Sequence, residues 1–220
     1  MKPLAGENGQ GVIVVKFEAG RYIVNGRVVR KEECAARVRN LRNYIVTERV
    51  EEHEYAKRLF PHTTNTVRIL SMWDYDEGVP FIAAAAHRVG RNSSVPVDNF
   101  IAGGLACIVD VSNGILGPGA LKPVGSFPHW FDSHPDTGST IKGIRIPHWK
   151  KVTSTIIKMA GHLSVVPYMG WDIAVTNAGF KVIEINSLPS LNFMQASEPL
   201  LRDPRVRRFY EMHVPGLKAR

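Results

Sequence analysis

Residues 170–195 read GWDIAVTNAGFKVIEINSLPSLNFMQ, and this stretch decides the fold class. Two runs rich in Ile and Val flank Asn177-Ala178-Gly179. A glycine at the end of a three-residue loop marks a β-hairpin, because the last loop position usually needs a positive φ. Closing such a loop pairs Thr176 with Phe180 and, in the same register, sets Asp172 opposite Glu184. Opposed residues share a face of the sheet, as do residues i and i+2. Asp172, Glu184 and Asn186 then converge on one side. Trp171, Ile173, Val175, Ile183 and Ile185 fall on the other, which can bury itself. Two carboxylates facing each other across a strand pair repel unless something compensates. A hard divalent cation held by oxygen ligands is the simplest compensator, and Mg²⁺ held this way leaves room for phosphate oxygens. A merely hydrated polar face on an amphipathic edge is the plainer reading of the same pattern.

Outward from the hairpin, HWKKVTSTIIKMAGHL (148–163) spaces Val152, Ile156, Ile157 and Met159 as a helix does, with Pro147 just before it. Residues 117–148 are rich in Gly, Pro, His and Ser, and a loop this long is usually functional or mobile. Strand-like runs lie at 65–74 and 105–110, while FIAAAAHR at 81–88 reads equally as helix or strand. The tail at 197–212 reads as a basic helix. At the other end, Lys2-Pro3 leads into a Gly-rich loop, AGENGQG, and then into two strands with a turn at Asn25-Gly26. A helix over 31–42 and a strand over 44–50 complete a β-β-α-β lobe. The expected organisation is a small partial lobe at 1–50 and a larger one at 51–220. The expected class is α+β, with mostly antiparallel strands.

A chain of 220 residues with 44% hydrophobic and 22% charged residues is globular in composition. No segment approaches the roughly 20 apolar residues that span a bilayer, and MKPLAGENGQG has no signal-peptide core. Cys34 and Cys107 stand in unrelated contexts, too few for a disulfide framework or a zinc site, so a reducing cytoplasm is the expected location. The formal charge of +8 admits a nucleic-acid partner. The basic residues are dispersed over 31–42, 145–151 and 202–220, however, and phosphate-rich small ligands explain them as well.

Gly6, Gly9 and Gly11 can bring backbone N–H groups close to phosphate oxygens, and Lys2 adds a point charge beside them. A plain turn is the competing reading, since the loop is neither a Walker loop nor a dinucleotide fingerprint. Arg68 and Arg88 each lie in a strand-like run, as surface charges or as inward forks for phosphate or carboxylate. Asn65 and Thr66 add donors beside Arg68. None of the histidines pairs at metal-ligand spacing, and His53, His62, His87 and His213 read as surface or partly buried. Pro-Asp-Thr-Gly at 135–138 is a turn sequence, and no G-x-S-x-G elbow is present.

Taken in order, Lys-Pro with its Gly-rich loop, NTVRI, HRVG, VDNFIAGG, HPDTG, IPHW and EINSLPSLNFMQ resemble the ATP-grasp superfamily, most closely its sugar-transfer associated branch. The likeness covers most of residues 2–195. It implies two α+β lobes gripping ATP, with Lys2, Gly6, Gly9 and Gly11 over the phosphates. It also implies adenine against Thr47, Glu48, Arg49 and Val50, ribose near Glu52 or His53, and Mg²⁺ on Asp172, Glu184 and Asn186. Arg68 and Arg88 match positions near the γ-phosphate or acyl intermediate, as catalytic residues. Many members carry an Arg two residues before the first metal Asp, where this chain has Gly170. The family also has sequence ahead of its Lys-Pro, so an N-terminally truncated form is expected, to be completed by a missing segment or partner. On that view Met1 alone cannot form the strand that aims Lys2, and residues 1–11 are the least constrained part of the site. The implied activity is ATP-dependent ligation of a carboxylate to an amine or similar nucleophile, in polysaccharide biosynthesis. A kinase-like phosphotransferase, a non-catalytic nucleotide-binding remnant and a basic nucleic-acid-binding module are the alternatives.

Overall fold

The computed structural model describes residues 1–5, 10–123, 129–195 and 199–216. The chain opens with β1 (Lys2–Pro3), β2 (Val15–Glu18), β3 (Arg21–Val24) and β4 (Arg27–Val29). The last three form an antiparallel meander. The sequence reading expects two strands there, and the third arises because Ala19-Gly20 turns as Asn25-Gly26 does. Both pairs have positive φ at both positions, 48° and 75° in the first and 48° and 79° in the second. That conformation matches the twist of a two-residue hairpin. Helix α1 (Lys31–Arg39) places Glu32 and Glu33 in its first turn and Arg37 and Arg39 in its last, each complementing the helix dipole. β5 (Tyr44–Ile45) pairs with β1. The strand expected over 44–50 is thus only two residues long, and residues 46–50 continue without regular structure.

The remaining elements are α2 (Glu54–Leu59), β6 (Val67–Asp74), β7 (Val79–Val89), β8 (Leu105–Val109), β9 (Leu116–Ala120), β10 (Trp130–Phe131), α3 (Trp149–His162), β11 (Tyr168–Thr176), β12 (Gly179–Asn186) and α4 (Pro204–His213). A 3-10 turn at Leu200–Arg202 precedes α4. Seven of the strands form one sheet in the order β10-β9-β8-β7-β6-β11-β12, and every neighbouring pair is antiparallel. The molecule is α+β with antiparallel sheets, as the sequence implies.

Both faces of the sheet centre are covered, which settles the ambiguous alanine run. Ala83 to Ala86 sit in β7, where Ala84 to Ala86 pair with β6 and Ala86 also with β8, and this pairing overrides the helical preference of alanine. On one face Val67, Ile69, Trp171 and Ile173 pack with Val152, Ile156 and Ala160 of α3. On the other, Leu70, Met72, Ala84 and Ala86 pack with Phe193, Met194 and, from α4, Val206 and Phe209. The region 117–148 is anchored over its described residues. His134 stacks on Phe60 at 5.3 Å and bonds the Gly90 carbonyl at 2.8 Å, while Asp136 bridges Arg91 at 3.0 Å.

The hairpin of β11 and β12 keeps its central pair by a different route. Its loop has two residues, Asn177 and Ala178, because Thr176 pairs with Gly179 rather than Phe180. The register at the tip is therefore one residue out from the expectation. A β-bulge at Ile183 restores it, so Asp172 still faces Glu184 and Trp171 faces Ile185. The expected apolar face is only half buried. Trp171, Ile173 and Val175 are buried, but Ile183 and Ile185 stay 38% and 44% exposed. Ile183 is the bulged residue, and β12 is the edge strand of the sheet.

Candidate functional site

Period-two alternation carries four charges across the sheet. Arg68 of β6 is directly opposed to Asp172 of β11, and Asp172 in turn to Glu184 of β12. Arg68 pairs on its other side with Ala86 of β7, and Arg88 lies two residues further along that strand, on the same face. Arg88, Arg68, Asp172 and Glu184 thus form a row over four adjacent strands.

The row is tightly bonded at its buried end. Arg68 grips Asp172 as a fork, Nε to Oδ1 and Nη2 to Oδ2, the latter at 2.8 Å. Arg88 adds a third bond, Nη2 to Oδ2 at 2.9 Å, and also donates to the Thr66 hydroxyl at 2.7 Å. Thr66 in turn donates its backbone N–H and hydroxyl to Asp98, at 2.7 and 2.6 Å. Asp98 stands 3.7 Å from Arg88 Nε, so the two buried cations face two buried carboxylates. Charges removed from water persist only when paired in this way. Burial pushes the Asp172 carboxyl up, but the hydrogen bond of Arg68 and the charges of both arginines outweigh it and hold it below the usual range. Burial works against the Arg88 cation too, yet Asp98, Asp172 and Glu184 raise its pKa, keeping it charged. Asp98 goes the other way, raised by burial beyond what Arg88 and Thr66 offset. The compensator that the described residues give Asp172 is therefore a guanidinium pair.

At the open end, Lys2 Nζ stands 3.6 Å from Glu184, both side chains near two-fifths exposed, and Asn186 donates to Glu184 at 3.3 Å. Among the described residues no group of three or more His, Cys, Asp or Glu is arranged to hold a metal. The oxygens gathered here come from two carboxylates and one amide.

The expected nucleotide contacts divide. Lys2 is held in a strand, contrary to the expectation that Met1 cannot support one. Met1 and Ile13 exchange both backbone hydrogen bonds, at 2.9 and 3.0 Å, and Lys2 pairs with Ile45. Gly11 has φ 73°, and a Cβ there would come within 2.9 Å of Pro3 and the Tyr44 hydroxyl. Gly6 and Gly9 lie outside the described residues. Glu48 is exposed, and Arg49 and Val50 are half-buried, all outside any strand. His53 caps α2, its Nδ1 accepting from the Tyr55 N–H at 3.2 Å, and its own N–H reaches the Val175 carbonyl at 2.8 Å. Glu52 does not face a ribose. It is 2% exposed and accepts the Asn65 N–H at 2.6 Å, because it fastens the turn into β6. Asn65 is likewise consumed by the scaffold, bonding Phe60, Thr63 and Gly90. Asp98 is the residue that sequence reasoning passed over. VDNF marks it, but no strand periodicity ties it to Arg88.

A family model described as sugar-transfer associated ATP-grasp matches residues 1–207 of the 220-residue chain. The chain belongs to this family. Comparison with curated proteins and with solved structures finds no match. No helix among the described residues of this ATP-grasp protein is long and apolar enough to cross a membrane. Its departure at position 170 has a steric cause. A Cβ at Gly170 would lie 2.4 Å from Cβ of Pro189, in the Leu-Pro-Ser segment that folds back over β11 after β12. The side chain that many ATP-grasp enzymes carry there has no room here, and Arg68 and Arg88 hold the neighbouring cationic positions.

Proposed function

We propose that this chain is an ATP- and Mg²⁺-dependent ATP-grasp ligase. It activates a carboxylate as an acylphosphate for transfer to an amine or similar nucleophile, in polysaccharide biosynthesis. The observation that carries this reading is the pair of buried guanidiniums converging on Asp172, beside Glu184 and Lys2. A carboxylate oxygen of the substrate attacks the γ-phosphorus of ATP, the bond to the β–γ bridging oxygen breaks, and ADP leaves with the electron pair. The nucleophile then attacks the acyl carbon, phosphate leaves, and the nucleophile sheds its proton. Such transfers depend on positioning and charge neutralisation rather than on a protein nucleophile.

The residues fit these demands. Asp172 Oδ1 accepts one bond from Arg68 and keeps a lone pair, Glu184 is half-exposed, and Asn186 turns its amide nitrogen to Glu184, leaving the carbonyl oxygen. This oxygen set suits Mg²⁺, which when bound draws charge from the phosphate oxygens. Lys2 sits where its ammonium can move from Glu184 to a phosphate. Arg68 and Arg88, fixed by Asp172, Thr66 and Asp98, are pre-aimed cations for the charge that develops on the transferred group. They do in this chain what no arginine at 170 can do.

The test incubates the chain with ATP, Mg²⁺, candidate carboxylates and hydroxylamine. ADP together with a hydroxamate is the expected result. ADP with a phosphoester would make the chain a kinase, and nucleotide binding without ADP release would make it a remnant. Glu184→Gln should weaken ATP binding far more in Mg²⁺ than in EDTA, by calorimetry. Equal affinity of both proteins in Mg²⁺ would overturn the metal role of Glu184.

A further inference from the structure

Beside the arginine pair opens a cavity of about 460 Å³. Arg68 and Arg88 line it together with the apolar side chains of Phe100, Ile101, Leu121 and Phe193. That volume suits a small organic molecule. The Phe100 and Phe193 rings lie 5.8 Å apart and tilted by 52°, and the Arg68 guanidinium stands 5.9 Å from the Phe193 centroid.

Each arginine spends Nε and Nη2 on Asp172, Thr66 or Asp98, and Nη1 of neither has a hydrogen-bond acceptor among the described residues. Among those residues no buried side-chain nitrogen or oxygen lacks a partner. The two Nη1 groups are therefore the ends reached from outside, and the cavity is the space both residues line. Lys122, exposed and without an ion-pair partner among the described residues, adds a third cation. Among the described residues no Asp or Glu lines the cavity. Its Asn99 has already committed its side-chain oxygen to the N–H of Ile101, at 2.7 Å.

We infer that this cavity holds the acid that the enzyme activates, and that this acid carries no ammonium group. Its carboxylate sits on Nη1 of Arg68 and Arg88, and an apolar or ring-shaped body lies against Phe100, Ile101 and Phe193. The choice of a carboxylate rests on the ligase reading above. The exclusion of amino acids does not, because it follows from the lining alone. A zwitterion would bring an ammonium against two guanidiniums and Lys122, and the carboxylates behind them, Asp172 and Asp98, are already committed to the arginines, so among the described residues it loses water without gaining a free counter-ion.

The experiment compares 3-phenylpropionate with L-phenylalanine, which differ only by the ammonium, and with phenethylamine. It uses the full chain without nucleotide and follows Ile and Leu methyl resonances. 3-Phenylpropionate should shift Ile101 and Leu121, and L-phenylalanine should bind roughly tenfold more weakly or worse, as sites reject groups they leave unpaired. Phenethylamine should leave both signals in place. Ile101→Glu, at an exposed wall position, should narrow the ratio by supplying the missing counter-ion. Equal affinity for the acid and the amino acid, or shifts confined to other methyls, would overturn the inference. Because ATP is absent, the two readings fail separately. Acid binding without any ADP release overturns the ligase, whereas hydroxamate formation alongside equal affinity overturns the cavity assignment alone.

Discussion

At the scale of single residues, Gly170 and Pro189 decide how the cationic site is built. Pro189 is buried, and Gly170 gives it the space that a side chain would take. A methyl group at 170 would also meet Arg68 Cδ at 3.3 Å, so the clash bears on the fork that holds Asp172. Gly170→Ala should destabilise the protein by about 1–3 kcal/mol, the usual cost of overpacking, read as a lower midpoint in denaturant. Pro189→Gly removes the Cβ that is struck. The double variant should therefore lose less than the two single changes added together. Additive losses would show that the loop and the strand do not meet at this point. Arg68, directly opposed to Asp172, is a fork and not a free cation, because Asp172 is 1% exposed and depends on it. Removing one partner of such a pair leaves a buried charge uncompensated.

At the scale of elements, the β11–β12 hairpin shows what was legible in the sequence and what was not. The alternation of Asp172, Glu184 and Asn186 against aliphatic neighbours is a short-range pattern, and a strand converts it directly into a shared face. The turn length is not so encoded. Asn177-Ala178-Gly179 supports a two- or three-residue loop, and the choice is made by packing further along. Two departures from the expected ladder, the shorter loop and the bulge, cancel before Asp172. Deleting Ile183 should therefore leave Asp172 opposite Glu184, with cross-strand NOEs between Trp171 and Ile185 retained. Loss of those NOEs would mean that the bulge fixes the register rather than absorbing it. Elsewhere the limits have similar causes. Arg68 and Arg88 could be placed in strands, but not turned inward, because Asp98 and Thr66 reach them through tertiary contact. Helix α2, EYAKRL, has only six residues and leaves too short a pattern to be seen. The alanine run could be settled only by its pairing with β6 and, at Ala86, with β8.

At the scale of the whole molecule, two buried groups invisible to sequence reading set the response to pH. The family likeness puts Glu52 near a ribose, and His87 reads as surface or partly buried. The structure buries both, Glu52 under the Asn65 turn and His87 against the Tyr55 hydroxyl at 2.9 Å. Burial, only partly offset by the bond from Asn65, raises the Glu52 pKa from 4.5 to about 8. Burial likewise lowers that of His87 from 6.5 to about 4. The folded state thus prefers Glu52 protonated, and the stability this confers is complete below pH 4.5 and lost as pH rises to about 8. For His87 the folded state prefers the neutral ring, so stability is complete above pH 6.5 and lost as pH falls to about 4. Between pH 4.5 and 6.5 the two slopes oppose each other, and between 6.5 and 8 His87 no longer offsets Glu52. Unfolding free energy should then fall across that upper window, by at most about 1.4 kcal/mol per pH unit. Glu52→Gln keeps the acceptor oxygen for the Asn65 N–H and removes the ionisation. The decline from pH 6.5 to 8 that the parent shows should be absent from this variant, measured by urea denaturation at matched ionic strength. Parallel curves would show that Glu52 is ionised in the folded protein, and that a cation or water reaches it beneath the turn.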